Sequence, residues 1–120
     1  MEHHVVTEKL YLASGAVQVS QGIPNNGNAN AIYVYAWIES GGAVTANDVD
    51  IEVQESFDLD TWTTNTSVWG GSITTAPGKV SFGTTSPGYS SLKAPFVRLK
   101  YTNNLVIDVI LGAEVRLLQL

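Results

Sequence analysis

Apolar and polar residues alternate in steps of two along much of this chain, most plainly near its end. Ile107, Val109, Leu111, Ala113, Val115 and Leu117 are apolar, while Asp108, Glu114 and Arg116 fall between them. Successive side chains of an extended strand point to opposite faces, so this run predicts a strand with one buried face and one wet face. Gly112 marks a bulge or a hairpin corner within it, giving one long bent strand or two short ones. The same period turns Val97, Leu99 and Tyr101 inward from a strand over 95–102, with Arg98 and Lys100 outward. It also turns Val49, Ile51 and Val53 inward against Asp50, Glu52 and Gln54. Residues 31–38 (AIYVYAWI) are apolar on both faces. That pattern predicts a central strand, or one whose outer face meets another surface, with Tyr33, Tyr35 and Trp37 sharing one face.

Weaker strand signals lie at 5–12, 16–21, 61–68 and 79–83, which brings the expected total to about eight. Clusters of Gly, Pro, Asn and Ser separate them, the longest being GIPNNGNAN at 22–30. No stretch of ten or more residues combines helical spacing with capping signals. Parallel sheets need crossovers that are usually helical, so the sheets are expected to be antiparallel. The predicted fold class is all-β, an antiparallel two-sheet sandwich of jelly-roll-like type. The 120 residues suit one domain spanning 1–120.

Only 14% of the residues are charged, against roughly 25% in ordinary soluble domains. A polar surface so poor in charge costs little to desolvate, and part of it is expected to be covered by a partner or by another copy of the chain. The net charge of −5 and only six basic residues argue against nucleic acid, which needs a Lys and Arg footprint. Lys93, Arg98 and Lys100 therefore read as a solvated strand face. There is no Cys, hence no disulfide framework and no thiolate zinc site. Neither a signal-like N-terminal stretch nor an apolar run near the roughly 20 residues of a membrane span is visible. The expected location is a virion or the cytoplasm, with no membrane partner.

The run Val49 to Glu55 leads into Ser56-Phe57-Asp58-Leu59-Asp60-Thr61-Trp62, and about thirty residues later comes Ala94-Pro95-Phe96-Val97-Arg98-Leu99-Lys100-Tyr101-Thr102-Asn103. This order resembles β-sandwich modules of phage structural proteins, of virion decoration or tail type, and more distantly the discoidin or coagulation-factor type C sandwich. In those modules a strand ends in a Ser-x-Asp-x-x-x-Trp turn, and a later strand reads roughly Pro-x-x-Val-Arg-Leu. Phe57 and Leu59 depart from the pattern, standing where many relatives carry Asn and Gly. The likeness covers residues 47–102. Asp58 is suited to bonding its own turn backbone, and Trp62 to closing the end of the core. The resemblance further implies that Arg98 packs beside the turn, near Asp58 or Asp60.

Six of the eleven acids fall between Asp48 and Asp60. Asp58 and Asp60 on a turn invite a calcium reading, since that ion takes hard oxygen ligands. Against it, Asp50 and Glu52 alternate on the wet face of a strand and no EF-hand spacing is present, so no metal and no cofactor is expected. Nothing supplies the cleft that a glycosidase carboxylate pair would need. His3 and His4 are the only histidines. They lie near a chain end expected to be mobile, and adjacent strand residues face opposite ways. Without Cys or an internal His the usual nucleophile and base arrangements are missing, and no catalytic residue is expected.

Trp69, beside Gly70-Gly71, is the aromatic best placed for exposure, either as a sugar platform or as an interface anchor. Tyr33, Tyr35 and Trp37 are candidate ligand or interface residues with it, although the indoles of Trp37 and Trp62 also read as core. Two functions follow as expectations. The first is a non-catalytic structural protein that builds or decorates a particle such as a phage virion, as a symmetric homo-oligomer contacting other particle proteins. The alternative is a carbohydrate-binding module.

Overall fold

The computed structural model describes residues 2–25, 29–40, 48–65, 70–74, 77–84 and 92–119. Among these there is no helix, and ten strands follow one another: β1 (Glu2–Leu12), β2 (Val17–Val19), β3 (Ile23–Pro24), β4 (Ala31–Ser40), β5 (Val49–Ser56), β6 (Thr63–Thr64), β7 (Gly71–Ile73), β8 (Gly78–Gly83), β9 (Phe96–Asn103) and β10 (Val109–Leu118). They form a four-stranded sheet in the order β1-β10-β4-β8 and a six-stranded sheet in the order β2-β9-β5-β6, with β3 added to β9 and β7 to β5. Every pairing is antiparallel. The all-β two-sheet sandwich expected from the alternation is therefore what the chain forms.

The core lies between the sheets and takes in the inward set from both. Val97, Leu99 and Tyr101 of β9 and Val49, Ile51 and Val53 of β5 meet Ile32, Val34, Ala36 and Ile38 of β4 and Val109, Leu111, Ala113, Val115 and Leu117 of β10. All are buried. Each fully buried Val, Leu or Ile contributes roughly 1.5–3 kcal/mol relative to exposure. With no disulfide available, this burial holds the sandwich together.

The strand count exceeds eight because β3 and β7, only two and three residues long, carry no alternation that sequence reading can use. Of the stretch expected at 61–68, Thr63–Thr64 pairs with β5, and 66–68 lie outside the described residues. Ile107 does not join the last strand. The side chain of Asn103 donates to the carbonyl of Ile107 at 2.9 Å and accepts from the amide of Leu105 at 2.9 Å, which folds 104–107 into a corner before β10 begins. At Gly112 the strand continues unbroken, paired with Trp37, and the register shift falls between Ile110 and Leu111.

The histidines are not at a free end. His3 and His4 sit in β1 opposite Arg116 and Val115, because β1 completes the edge of the four-stranded sheet. Trp37 and Trp62, read as core, are both half-buried and face away from it. For Trp37 the cause is strand parity, since it shares its face with Tyr33 and Tyr35. For Trp62 the cause is the turn that precedes it.

Candidate functional site

The outer face of the four-stranded sheet is aromatic. The inward residues Val34, Ala36 and Ile38 of β4 alternate with Tyr33, Tyr35 and Trp37, so one strand supplies both core and outer surface. Tyr33 and Tyr35 remain 43% and 40% exposed despite lying on a central strand. The Tyr35 and Trp37 rings are 5.5 Å apart and tilted by 37°, within the range where aromatic pairs attract. Trp37 lies across β10 at Gly112, where a Cβ would come within 2.3 Å of the indole. Glycine there lets the ring lie down on the sheet.

Beside this row, β10 presents Glu114 opposite Tyr35 and Arg116 opposite Tyr33. Tyr33, Tyr35, Ser81, Glu114, Arg116 and Leu118 surround a groove of about 620 Å³. A second hollow next to it joins Trp37, Glu39 and Glu114 to Val5, Glu8 and Lys9 of β1. His3 Nε2 is 3.5 Å from Glu114, and Lys9 Nζ is 4.0 Å from Glu39. Among the described residues no carboxylate comes within ion-pair distance of Arg116.

The Ser56–Trp62 turn lies in the six-stranded half of the molecule. Asp58 Oδ1 accepts from the amides of Thr61 at 2.8 Å and Asp60 at 2.9 Å, and from the Ser56 hydroxyl at 3.0 Å. These donors, the Thr61 amide foremost, hold its carboxyl below the usual carboxylate range. Ser56 Oγ in turn accepts from the amides of Asp58 and Leu59. Leu59 is thereby held at φ 66°, a left-handed conformation uncommon for a residue with a side chain, and Phe57 projects at 74% exposure. Trp62 packs under Arg98, whose guanidinium carbon sits 4.3 Å from the ring centroid. Arg98 Nε donates to Gln54 at 2.8 Å. Its neighbour in the turn region is thus the indole, with no ion pair to Asp58 or Asp60 among the described residues.

Four of the other acids have a protein partner. Asn104 donates to Asp48 and Asp50, and Ser72 to Asp50. Glu52 lies 3.8 Å from Lys100. Glu55 receives the amides of Lys93 and Ala94 and the side chain of Asn65. Among the described residues no three His, Cys, Asp or Glu side chains gather as metal ligands would. Trp69 lies outside the described residues. The structure thus brings Tyr33, Tyr35 and Trp37 together on one face and Asp58, Trp62 and Arg98 in another place. Sequence reading missed Glu114, Arg116 and Gly112 as members of the aromatic face, because pairing of β10 with β4 is a long-range event that neither segment announces.

No protein family and no curated protein matches the sequence, but solved structures share its fold. The phage PBSX exported protein XepA superposes with a TM-score of 0.64 at 15% identity, over 98% of this chain and 37% of that one. The Yersinia pseudotuberculosis-derived mitogen does so with a TM-score of 0.51 at 10% identity, over 95% of this chain and 86% of that one. A family 16 carbohydrate-binding module has a TM-score of 0.46 at 15% identity, over 88% and 71% of the two chains. For the first two, at such identities, the likeness is one of fold. The phage β-sandwich relationship read from residues 47–102 is thereby met at the level of fold. The chain spans little more than a third of the XepA length.

Proposed function

We propose that this chain is a non-catalytic assembly module that builds or decorates a particle such as a phage virion, and that it self-associates through the outer face of its four-stranded sheet. The observation that carries the reading is a row of two exposed tyrosines and a flattened tryptophan in the middle of a sheet, beside an arginine that has no ion pair among the described residues. Tyr, Trp and Arg are the residues that dominate the energetics of protein–protein contacts. A jelly-roll-like winding belongs to the same reading, and the chain crosses from one sheet to the other at most connections between its strands. A sandwich fold shared with a phage protein is consistent with it. His3 and Glu114 lie 3.5 Å apart, but they stand on an open sheet face, which supports a binding role over a catalytic one.

Light scattering coupled to size exclusion tests the proposal. The wild-type chain is expected to run as an oligomer, and the double variant Tyr33→Ala/Tyr35→Ala as a monomer of unchanged circular dichroism. A wild-type chain that stays monomeric at every concentration removes the self-association reading. A second reading, carbohydrate binding, is favoured by one feature: the Tyr33–Tyr35 groove combines aromatic faces with Arg116, Glu114 and Ser81 as hydrogen-bonding groups, at a volume typical of ligand sites. Quenching of tryptophan fluorescence by a soluble oligosaccharide, lost in Tyr35→Ala, is the outcome that reading expects.

A further inference from the structure

We infer that two copies of this chain pair face to face about a two-fold axis that lies in the outer face of the four-stranded sheet, crosses its strands and passes through the Val34–Val115 pair, so that Glu114 of each copy meets Arg116 of the other. The inference rests on the proposed self-association of that face and names the partner and its register.

A two-fold interface must be self-complementary: whatever stands one step above the axis meets what stands one step below it on the other copy. In β10, Glu114 and Arg116 flank Val115 on the outward side, and they carry opposite charges. In β4, Tyr33 and Tyr35 flank Val34, which is paired with Val115. In β1, His3 and Val5 flank His4, which is also paired with Val115. One axis therefore sets Glu114 against Arg116, Tyr33 against Tyr35 and His3 against Val5. Three residues from Val115 on either side lie Gly112, covered by the flat Trp37 ring, and Leu118, so the same axis sets indole against leucine. No other placement along β10 brings the acid to the base, since an axis at Glu114 or Arg116 would set like against like.

Charge supports a second copy as the occupant. The chain as a whole carries −5, yet among the described residues the outward charges around this face, Lys9, Lys79 and Arg116 against Glu8, Glu39 and Glu114, balance. The surplus acid lies elsewhere, and two such faces approach without net repulsion. Area supports it too. Four strands about 4.8 Å apart and up to about ten residues long at roughly 3.3 Å each give a footprint of the order of 500 Å². That footprint is comparable to the roughly 800 Å² of accessible surface each partner contributes to a standard interface.

Sedimentation of wild type, Glu114→Arg, Arg116→Glu and an equimolar mixture of the two variants tests the register. Each variant alone sets like charges together twice and is expected to weaken dimerisation by at least about tenfold. In the mixture, one chain carries basic side chains at both positions and the other carries acidic ones at both, so each contact again joins opposite charges. A heterodimer within about threefold of wild-type affinity is expected. Variants that dimerise as wild type does, or a mixture no better than its parts, overturn the register while leaving self-association standing. A wild type that is monomeric at roughly 100 μM overturns both, and tryptophan quenching by cellohexaose in that case assigns the face to a glycan.

Discussion

Tyr101 shows how much one side chain is asked to do in this core. It is fully buried on β9, and its hydroxyl lies 2.8 Å from Thr7 Oγ1 on β1, so a polar contact joins the two sheets from within a largely apolar layer. Burial, only partly offset by that contact, pushes its phenol up to about 12 from an ordinary 10.0. The folded state therefore holds the proton more tightly than the unfolded chain. The stability linked to this is complete below pH 10 and is lost as pH rises from 10 through about 12. By the upper end of that window the loss is on the order of 2–3 kcal/mol. Tyr101→Phe cannot ionise, so urea denaturation should show wild type losing stability relative to the variant across that range. Below pH 10 a constant deficit of about 1 kcal/mol is expected for the variant, from the lost hydrogen bond. Equal slopes for the two proteins would mean that the phenol is not shielded from water.

At the scale of elements, the long strands were legible and their punctuation was not. The alternation in 49–53, 97–101 and 109–117 announces strands because each has one face in the core and one outside. The two-sided apolar run 31–38 announces a strand whose outer face meets something. Trp37 and Trp62 misled because an indole is as apolar outside as inside, and only parity against Val34 or the path of the Ser56 turn decides its side. Asn103 was invisible for the opposite reason. A polar residue at a strand end reads as a turn, yet this one is fully buried and its amide donates to Leu12 and Ile107 while accepting from Leu105. It ties the end of β9 to the end of β1 in the opposite sheet and shapes the corner that leads into β10. Asn103→Ala leaves three backbone groups without partners and is expected to cost about 2–4 kcal/mol in chemical denaturation, whereas Asn104→Ala, at an exposed site, should cost under about 0.5 kcal/mol. Similar losses for both would remove the argument that the corner is held from inside.

At the scale of the molecule, a core with residues from both sheets leaves the outer faces free to differ, and they do. The six-stranded sheet turns outward Glu52 with Lys100 and Arg98 over Trp62, groups that satisfy one another within the chain. The four-stranded sheet turns outward Tyr33 and Tyr35, the latter beside the Trp37 ring, and an arginine that has no ion pair among the described residues. A stable fold does not need the second arrangement, since exposed aromatic surface at a sheet centre adds nothing to the core and invites association. If that surface is covered by another copy, unfolding must also separate the copies, and mass action then ties the melting temperature to protein concentration. For two chains of this length unfolding together, each tenfold rise in concentration should raise the midpoint by about 3 °C. Tyr33→Ala/Tyr35→Ala should melt at one temperature regardless of concentration, and Phe57→Ala, altered on the far turn, should keep the wild-type dependence. Scanning calorimetry over two decades of concentration reads all three. A flat wild-type series would show that the aromatic face remains open in solution and that its partner is something other than this chain.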